Sequence, residues 1–253
     1  MNDRQQNMWI YGVVPADASL NELESRDGLP KVWVVESGDL GAIAGNAPEE
    51  NARGTRDQAL AHARVLEAAV VDAPVVPFRF GTQVEGDDEA VASELLEPYR
   101  DELAHRLEAV KDVVQMTVKA SYDEQAVLRH IIEREPQLSA LQQETRNGPE
   151  EAAQAARAQF GELLFNAVGT LREQDSAEIL ESLTPAAAAA NPEEIESDFM
   201  VMNVPFLVDR KRVQEFEETV EQVADDRAEL IRFELLGPMP AYNFMDVEQP
   251  AWA

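Results

Sequence analysis

The chain has 253 residues and a mass of 28.1 kDa, with 49 acidic against 21 basic side chains, a formal charge of -28, a pI near 4.3 and 45% hydrophobic residues. This length can bury a substantial core and suffices for two domains, while the apolar content excludes disorder by composition. The anionic balance argues against nucleic acid or an anionic membrane as partner, and the absence of cysteine excludes disulfides, thiolate nucleophiles and Cys-based metal sites.

Lysine occurs only as Lys31, Lys111, Lys119 and Lys211. Acidity combined with scarce lysine and abundant Ala, Asp and Glu suits a halophilic protein, because molar salt screens self-repulsion to within about 3 Å. An ordinary acidic cytosolic protein is the other reading. The polar N-terminus lacks a signal-type apolar core, and no stretch approaches the roughly 18 consecutive apolar residues of a membrane span, so the expected location is cytoplasmic.

Met8 to Pro15 reads as a first strand stopped by proline. Asn21 to Pro30 is turn-rich. Lys31 to Glu36 and Leu40 to Gly45 are short apolar runs around Ser37-Gly38-Asp39, which predicts a hairpin and, with the first strand, a small antiparallel sheet. From Thr55 the period becomes helical: Thr55 and Gln58 have capping-box spacing, and Leu60, Ala63, Leu66 and Val70 repeat on one predicted inner face. Ala73 to Thr82 alternates weakly and holds Pro74 and Pro77, which predicts an edge strand. Asp87 to Leu107 predicts a helix with Val91, Leu95, Tyr99, Leu103 and Leu107 inward and a kink at Pro98.

A second unit begins near Val110, where alternation through Ala120 predicts a strand with one buried face. Helices follow over Tyr122 to Arg134 and Pro149 to Glu173, the latter with Ala153, Ala156, Phe160, Leu163, Leu164, Ala167 and Leu171 as its inner stripe, and the two form a predicted antiparallel hairpin. The alanine run 186–190 reads as a surface connection. Phe199 to Val208 predicts a strand ending near Pro205, Asp209 an N-cap, and Val213, Phe216, Val220 and Val223 a returning helix. Ile231, Phe233 and Leu235 alternate in a last strand that leads through Gly237-Pro238-Met239-Pro240 into an aromatic strap. Such a C-terminal strand needs a distant partner for its backbone groups. The expected fold class is α+β with two domains: residues 1–108, a small N-terminal α+β domain, and residues 109–253, a modified ferredoxin-like domain with an enlarged helical crossover, a helical hairpin insertion and the C-terminal strap.

Catalytic signals are few. His62, His105 and His130 have no metal-ligand spacing, no G-x-S-x-G elbow occurs, and neither a dinucleotide fingerprint nor a P-loop is present. Acidic pairs such as Asp87-Asp88 lack cation-loop geometry. No catalytic, metal or cofactor residue is assigned. Arg79, between Phe78 and Phe80, is a candidate anion or partner contact; the plainer reading is an arginine on the solvent side of an edge strand, paired with one of many carboxylates.

Val75-Val76-Pro77-Phe78-Arg79-Phe80-Gly81-Thr82, preceded by the helix carrying His62, resembles a segment of the gas vesicle proteins GvpF and GvpL. Leu235 to Phe244 resembles that family's ending, and Trp9-Ile10-Tyr11-Gly12-Val13-Val14 its opening; Met239, where an aromatic is frequent, and the acidic body are departures. The resemblance implies a non-enzymatic accessory or minor structural protein of gas vesicle assembly, contacting the hydrophobic shell protein GvpA and other accessory proteins, in the cytoplasm and at the vesicle. Halophilic archaea form such vesicles. Expected partner contacts are Arg79, Phe80, Tyr242 and Phe244, and a monomer is expected outside the assembly. A ligand-binding or enzymatic ferredoxin-like protein is the alternative, which requires a polar pocket with perturbed ionisable groups.

Overall fold

The computed structural model of the chain describes residues 7–21, 23, 27–47, 55–147 and 149–245. Strand β1 (Asn7–Pro15) is the spine of the first sheet, with every residue buried except its two ends. It pairs antiparallel with β3 (Leu40–Asn46), which continues the predicted hairpin to β2 (Val32–Ser37) across Gly38-Asp39. On the other side of β1 lie β4 (Val76–Pro77) and β5 (Gln83–Glu85). The segment 73–82 therefore sits at the sheet edge as expected, but only two of its residues form strand, because its prolines remove ladder donors. Part of the turn-rich stretch 21–30 lies outside the described residues.

The register of β1 and β3 shifts between Ile10, opposite Ala44, and Gly12, opposite Ile43, leaving Tyr11 as the extra residue of a bulge. The bulge brings Ile10 and Val13, three apart, into one core cluster with Leu40, Val84 and Leu95.

Helix α1 (Arg56–Asp72) starts at the predicted capping box: Gln58 N–H donates to Thr55 Oγ1 at 3.2 Å, and Thr55 N–H to Gln58 Oε1 at 2.8 Å. Its buried face is His62, Val65, Leu66, Ala68, Ala69 and Val70. Leu60, expected inward, is 46% exposed. At about 100° per residue it lies on the side of the helix opposite His62, and packing against the sheet selected the alanine-rich face instead.

After Asp87 caps a helical turn at Asp88–Ala90, a π-helical stretch Val91–Leu96 leads to a break at residues 97–99 and then to α2 (Arg100–Val110). The expected single helix is thus two: Pro98 has no N–H to continue the ladder and disfavours helical geometry in the residue before it. The predicted stripe nevertheless holds, with Val91, Leu95, Leu103 and Leu107 buried and Tyr99 packed against the same cluster.

The second sheet comprises β6 (Val113–Tyr122), β7 (Ala189–Ala190), β8 (Met200–Asp209) and β9 (Ile231–Met239), in the order β7-β8-β6-β9. Burial along β6 does not alternate: residues 114–118 are all buried, as in a central strand covered on both faces. Strand β8 runs through Pro205 instead of ending there. The Pro205 carbonyl accepts from Asn191 N–H at 2.9 Å, so its missing donor faces the sparsely paired edge of β7 and interrupts no central ladder. Two of the five alanines expected in a surface connection form β7, and Ala186 is buried.

Between β6 and β7 run α3 (Glu124–Arg134), capped by Asp123, then α4 (Pro136–Asn147) and α5 (Glu150–Leu183). Helix α4 was not anticipated, since Pro136 opens a helix at a tolerated first position where a stop was expected. The close antiparallel partner of α5 is α4, with α3 also packed on α5. Helix α5 runs ten residues beyond Glu173; its polar continuation is held by packing at Ile179 and Leu183 and by Tyr122 Oη donating to Asp175 Oδ2 at 2.5 Å. Of its expected stripe only Ala153 and Ala156 are fully buried, and Val168 joins them. Asp209 caps the 3-10 turn Arg210–Arg212 through Lys211 N–H at 2.8 Å, ahead of α6 (Val213–Asp226), whose Phe216 meets Phe206 of β8 at 5.2 Å.

The chain divides into two compact units, one holding the described residues up to 116 with 207–211 and 237–245, the other 117–206 and 212–236. Strand β9 continues through a cis Gly237-Pro238 bond to Met239, past the point where the sequence suggested it would end.

Candidate partner-binding surface

Residues 79–82 form a tight turn fixed at both ends. Phe78 N–H donates to the Tyr11 carbonyl at 2.8 Å, Ile10 N–H to the Thr82 carbonyl at 3.0 Å, and Thr82 closes the turn on the Arg79 carbonyl through its N–H at 3.1 Å and Oγ1 at 2.8 Å. Gly81 supplies the left-handed residue, with φ of +90°. Arg79 is exposed on this turn rather than on a strand, and its guanidinium has no ion pair among the described residues.

Phe80 anchors the turn. Its ring meets Trp9 edge-on at 5.3 Å and His62 at 5.8 Å, and His62 stacks on Tyr11 at 4.9 Å. Such contacts fix ring positions as well as burying area. His62 is 6% exposed and its Nε2–H donates to the Phe78 carbonyl at 3.1 Å. Burial pushes its pKa down and the backbone hydrogen bond opposes this. Burial pushes the Tyr11 hydroxyl up. His62 is thus packing for the turn; His105 is exposed and His130 half-buried.

The strap docks in the same unit. Gln115 on β6 is 3% exposed, and its Nε2 donates to Asn243 Oδ1 at 2.8 Å while its Oε1 accepts from Asn243 N–H at 3.0 Å. This reciprocal amide pair latches the 3-10 turn Tyr242–Phe244, and Met245 packs on the core of the first sheet. Tyr242 keeps 38% of its surface exposed, yet burial first and the negative charge of Glu67 second push its hydroxyl up. Phe244 is half-buried. Phe80 and the strap aromatics share one unit, but no ring contact joins Phe80 to Tyr242 or Phe244 among the described residues.

Sequence reasoning missed two surface residues: Leu60 and Val71, 46% and 47% exposed. Eleven residues apart, they fall within about 20° of one another around α1, with Glu67, the neighbour of Tyr242, between them in sequence. Their apolar character was visible; their outward orientation was not.

For the catalytic alternative, the described residues contain no group of three potential metal ligands, and no helix of the structure is long and apolar enough to cross a membrane. A cavity of about 450 Å³ lies along α5 between Phe165 and Glu173, with Asp198 at its side. Its one hydroxyl, Thr170 Oγ1, donates to the Asn166 carbonyl at 3.1 Å.

The comparisons agree with this architecture. A family model described as gas vesicle synthesis protein GvpL/GvpF matches residues 7–246. Gas vesicle protein F of Streptomyces sp. (strain CB03234) is 31% identical over 241 residues, covering 94% of this chain and 99% of its own, and that of Dolichospermum flosaquae is 24% identical over 246 residues, covering 95% and 98%. Among solved structures, GvpF from Anabaena sp. PCC7120 superposes with a TM-score of 0.72 at 20% identity over 94% of this chain and 98% of its own. GvpF from Microcystis aeruginosa gives 0.66 at 19% identity over the same shares. These relatives are bacterial, so the halophile expectation rests on charge alone. With a family match from the first strand to the strap, this chain belongs to the GvpL/GvpF family of gas vesicle synthesis proteins.

Proposed function

We propose that this protein is a non-enzymatic accessory or minor structural component of gas vesicle assembly that binds the hydrophobic shell protein GvpA and other vesicle accessory proteins, acting in the cytoplasm and at the vesicle. The observation that carries the reading is family membership over residues 7–246. The physical case is that a shell subunit apolar enough to exclude water aggregates unless its surface is covered, and a partner with 49 acidic side chains keeps such a complex soluble. Arg79 and Phe80 on the fixed turn, and Tyr242 and Phe244 on the latched strap, are the contact residues in this proposal. Leu60 and Val71 on α1 add exposed apolar surface.

We also read β6 to β9 as the modified ferredoxin-like arrangement. The support is the succession β6, helices α3 to α5, β7, β8, α6, β9, in which the first crossover is enlarged.

Co-purification with tagged GvpA in high salt tests the function. Wild type is expected to capture the shell protein, and Arg79→Glu and Tyr242→Glu to lose most of that capture while melting like wild type. Equal capture by both variants refutes the contact residues. No capture by wild type refutes the partner.

A further inference from the structure

Strand β9 ends the second sheet: the order β7-β8-β6-β9 leaves no strand on its outer side among the described residues. The Leu230 carbonyl accepts from Asp123 N–H at the end of β6, so even-numbered residues of β9 turn their backbone groups toward β6 and odd-numbered ones turn outward. Ile231 N–H is taken by the Arg227 carbonyl. The Ile231 carbonyl and both groups of Phe233 and Leu235 remain on the open edge. Such an edge is a template for another strand, and proteins guard it with lysine, proline or a bulge. Residues 231–236, Ile-Arg-Phe-Glu-Leu-Leu, contain none of the first two; Pro238 only limits how far pairing extends.

The side chains say which strand fits. Antiparallel pairing of β9 with itself, centred on Phe233, sets Phe233 opposite Phe233 of the second copy and Ile231 opposite Leu235. On the other face, Arg232 comes opposite Glu234, twice by symmetry. Directly opposed residues share a face, so apolar meets apolar on one side and cation meets carboxylate on the other. Phe233 and Leu235 are only half-buried at this edge. Arg232 is 65% exposed; one guanidinium nitrogen donates to the Ala228 carbonyl at 2.6 Å, and the other makes only a long ion pair with Asp123, at 3.7 Å, that a closer carboxylate can replace. An unrelated partner strand has no reason to match both faces, whereas a second copy does so by its own sequence.

We propose that β9 is a self-association edge, through which two copies of this chain join their four-stranded sheets about a two-fold axis with four new backbone hydrogen bonds. This departs from the monomer expected from net charge; the charge opposes association until salt screens it, and the Arg232–Glu234 pairs set the register.

Sedimentation equilibrium of the full chain at about 1 M salt tests it, with circular dichroism confirming that each variant is folded. Wild type is expected to reach twice 28.1 kDa with rising concentration. Arg232→Glu, which opposes two pairs of glutamates, and Glu234→Arg, which opposes two pairs of arginines, are each expected to weaken dimerisation at least tenfold. The double charge swap Arg232→Glu with Glu234→Arg is expected to restore it. A wild type that stays monomeric up to its solubility limit, single variants that dimerise like wild type, or a folded double swap that stays monomeric each overturn the proposal. None of these outcomes depends on GvpA, so failure here is distinct from failure of the proposed function.

Discussion

Replacing Gln115 by leucine isolates what holds the strap. The change puts a branched apolar side chain, one atom shorter, at a position 3% exposed, and removes both hydrogen bonds to Asn243, at 2.8 and 3.0 Å, along with a weak contact from Nε2 to Met239 Sδ at 3.5 Å. Each neutral hydrogen bond contributes about 0.5–1.5 kcal/mol net, so the latch amounts to about 1–3 kcal/mol. At about 1.4 kcal/mol per factor of ten, the population with an opened strap rises roughly 5- to 150-fold, before counting release of Met245 from the first sheet's core. Two readouts apply. Amide exchange at Asn243, whose N–H is one of the two donors, is expected to accelerate by that factor while β1 keeps its protection. A double-mutant cycle with Asn243→Ala is expected to show coupling of about 1 kcal/mol or more. Unchanged exchange at Asn243 together with additive double-mutant energetics would refute the latch and place strap stability in apolar packing alone.

Gly237 has φ of +129°, and a Cβ there would stand 2.8 Å from the Gln115 carbonyl, so Gly237→Ala is expected to cost about 2 kcal/mol or more in denaturant unfolding. The Arg210 guanidinium donates to the last carbonyls of α1, Val70 at 2.5 Å and Ala73 at 3.0 Å; Arg210→Met is expected to destabilise by about 2 kcal/mol, with faster exchange at the end of α1, and a melt equal to wild type would show that the cap contributes nothing. The buried His62 has a folded pKa below its unfolded value of 6.5, so the unfolded state binds the extra proton and stability is lost as pH falls below 6.5 toward the folded pKa. His62→Phe is expected to flatten that part of the stability–pH curve between pH 7 and 5, and identical slopes for the two proteins would contradict the assignment.

Local features were legible because their causes are local. The Thr55–Gln58 capping box, the Gly38-Asp39 hairpin and the inward stripe from Val91 to Leu107 each follow from side-chain period or from turn and cap chemistry within a few residues, whereas the single buried face expected of β6 failed because a central strand is covered on both sides. Pro136 and Pro205 were misread for one shared reason: a proline's effect depends on whether its absent N–H was needed. It was not needed at the first position of α4 or on the edge-facing side of β8, and only the assembled ladder reveals that. Of the candidate site, the residues themselves were visible in the sequence: Arg79, Phe80, Tyr242 and Phe244. Their setting was not, since Phe80 leans on Trp9 and His62, and Asn243 on Gln115, 128 positions away.

By itself the sequence determined the α+β class, the anionic character and the family, because composition, period and short motifs survive without coordinates. Tertiary structure alone decided which face of α1 is covered, where the strap is latched and which strand is left with an open edge. Those outcomes arise from pairings between distant segments, whose energies depend on geometry that no local window contains.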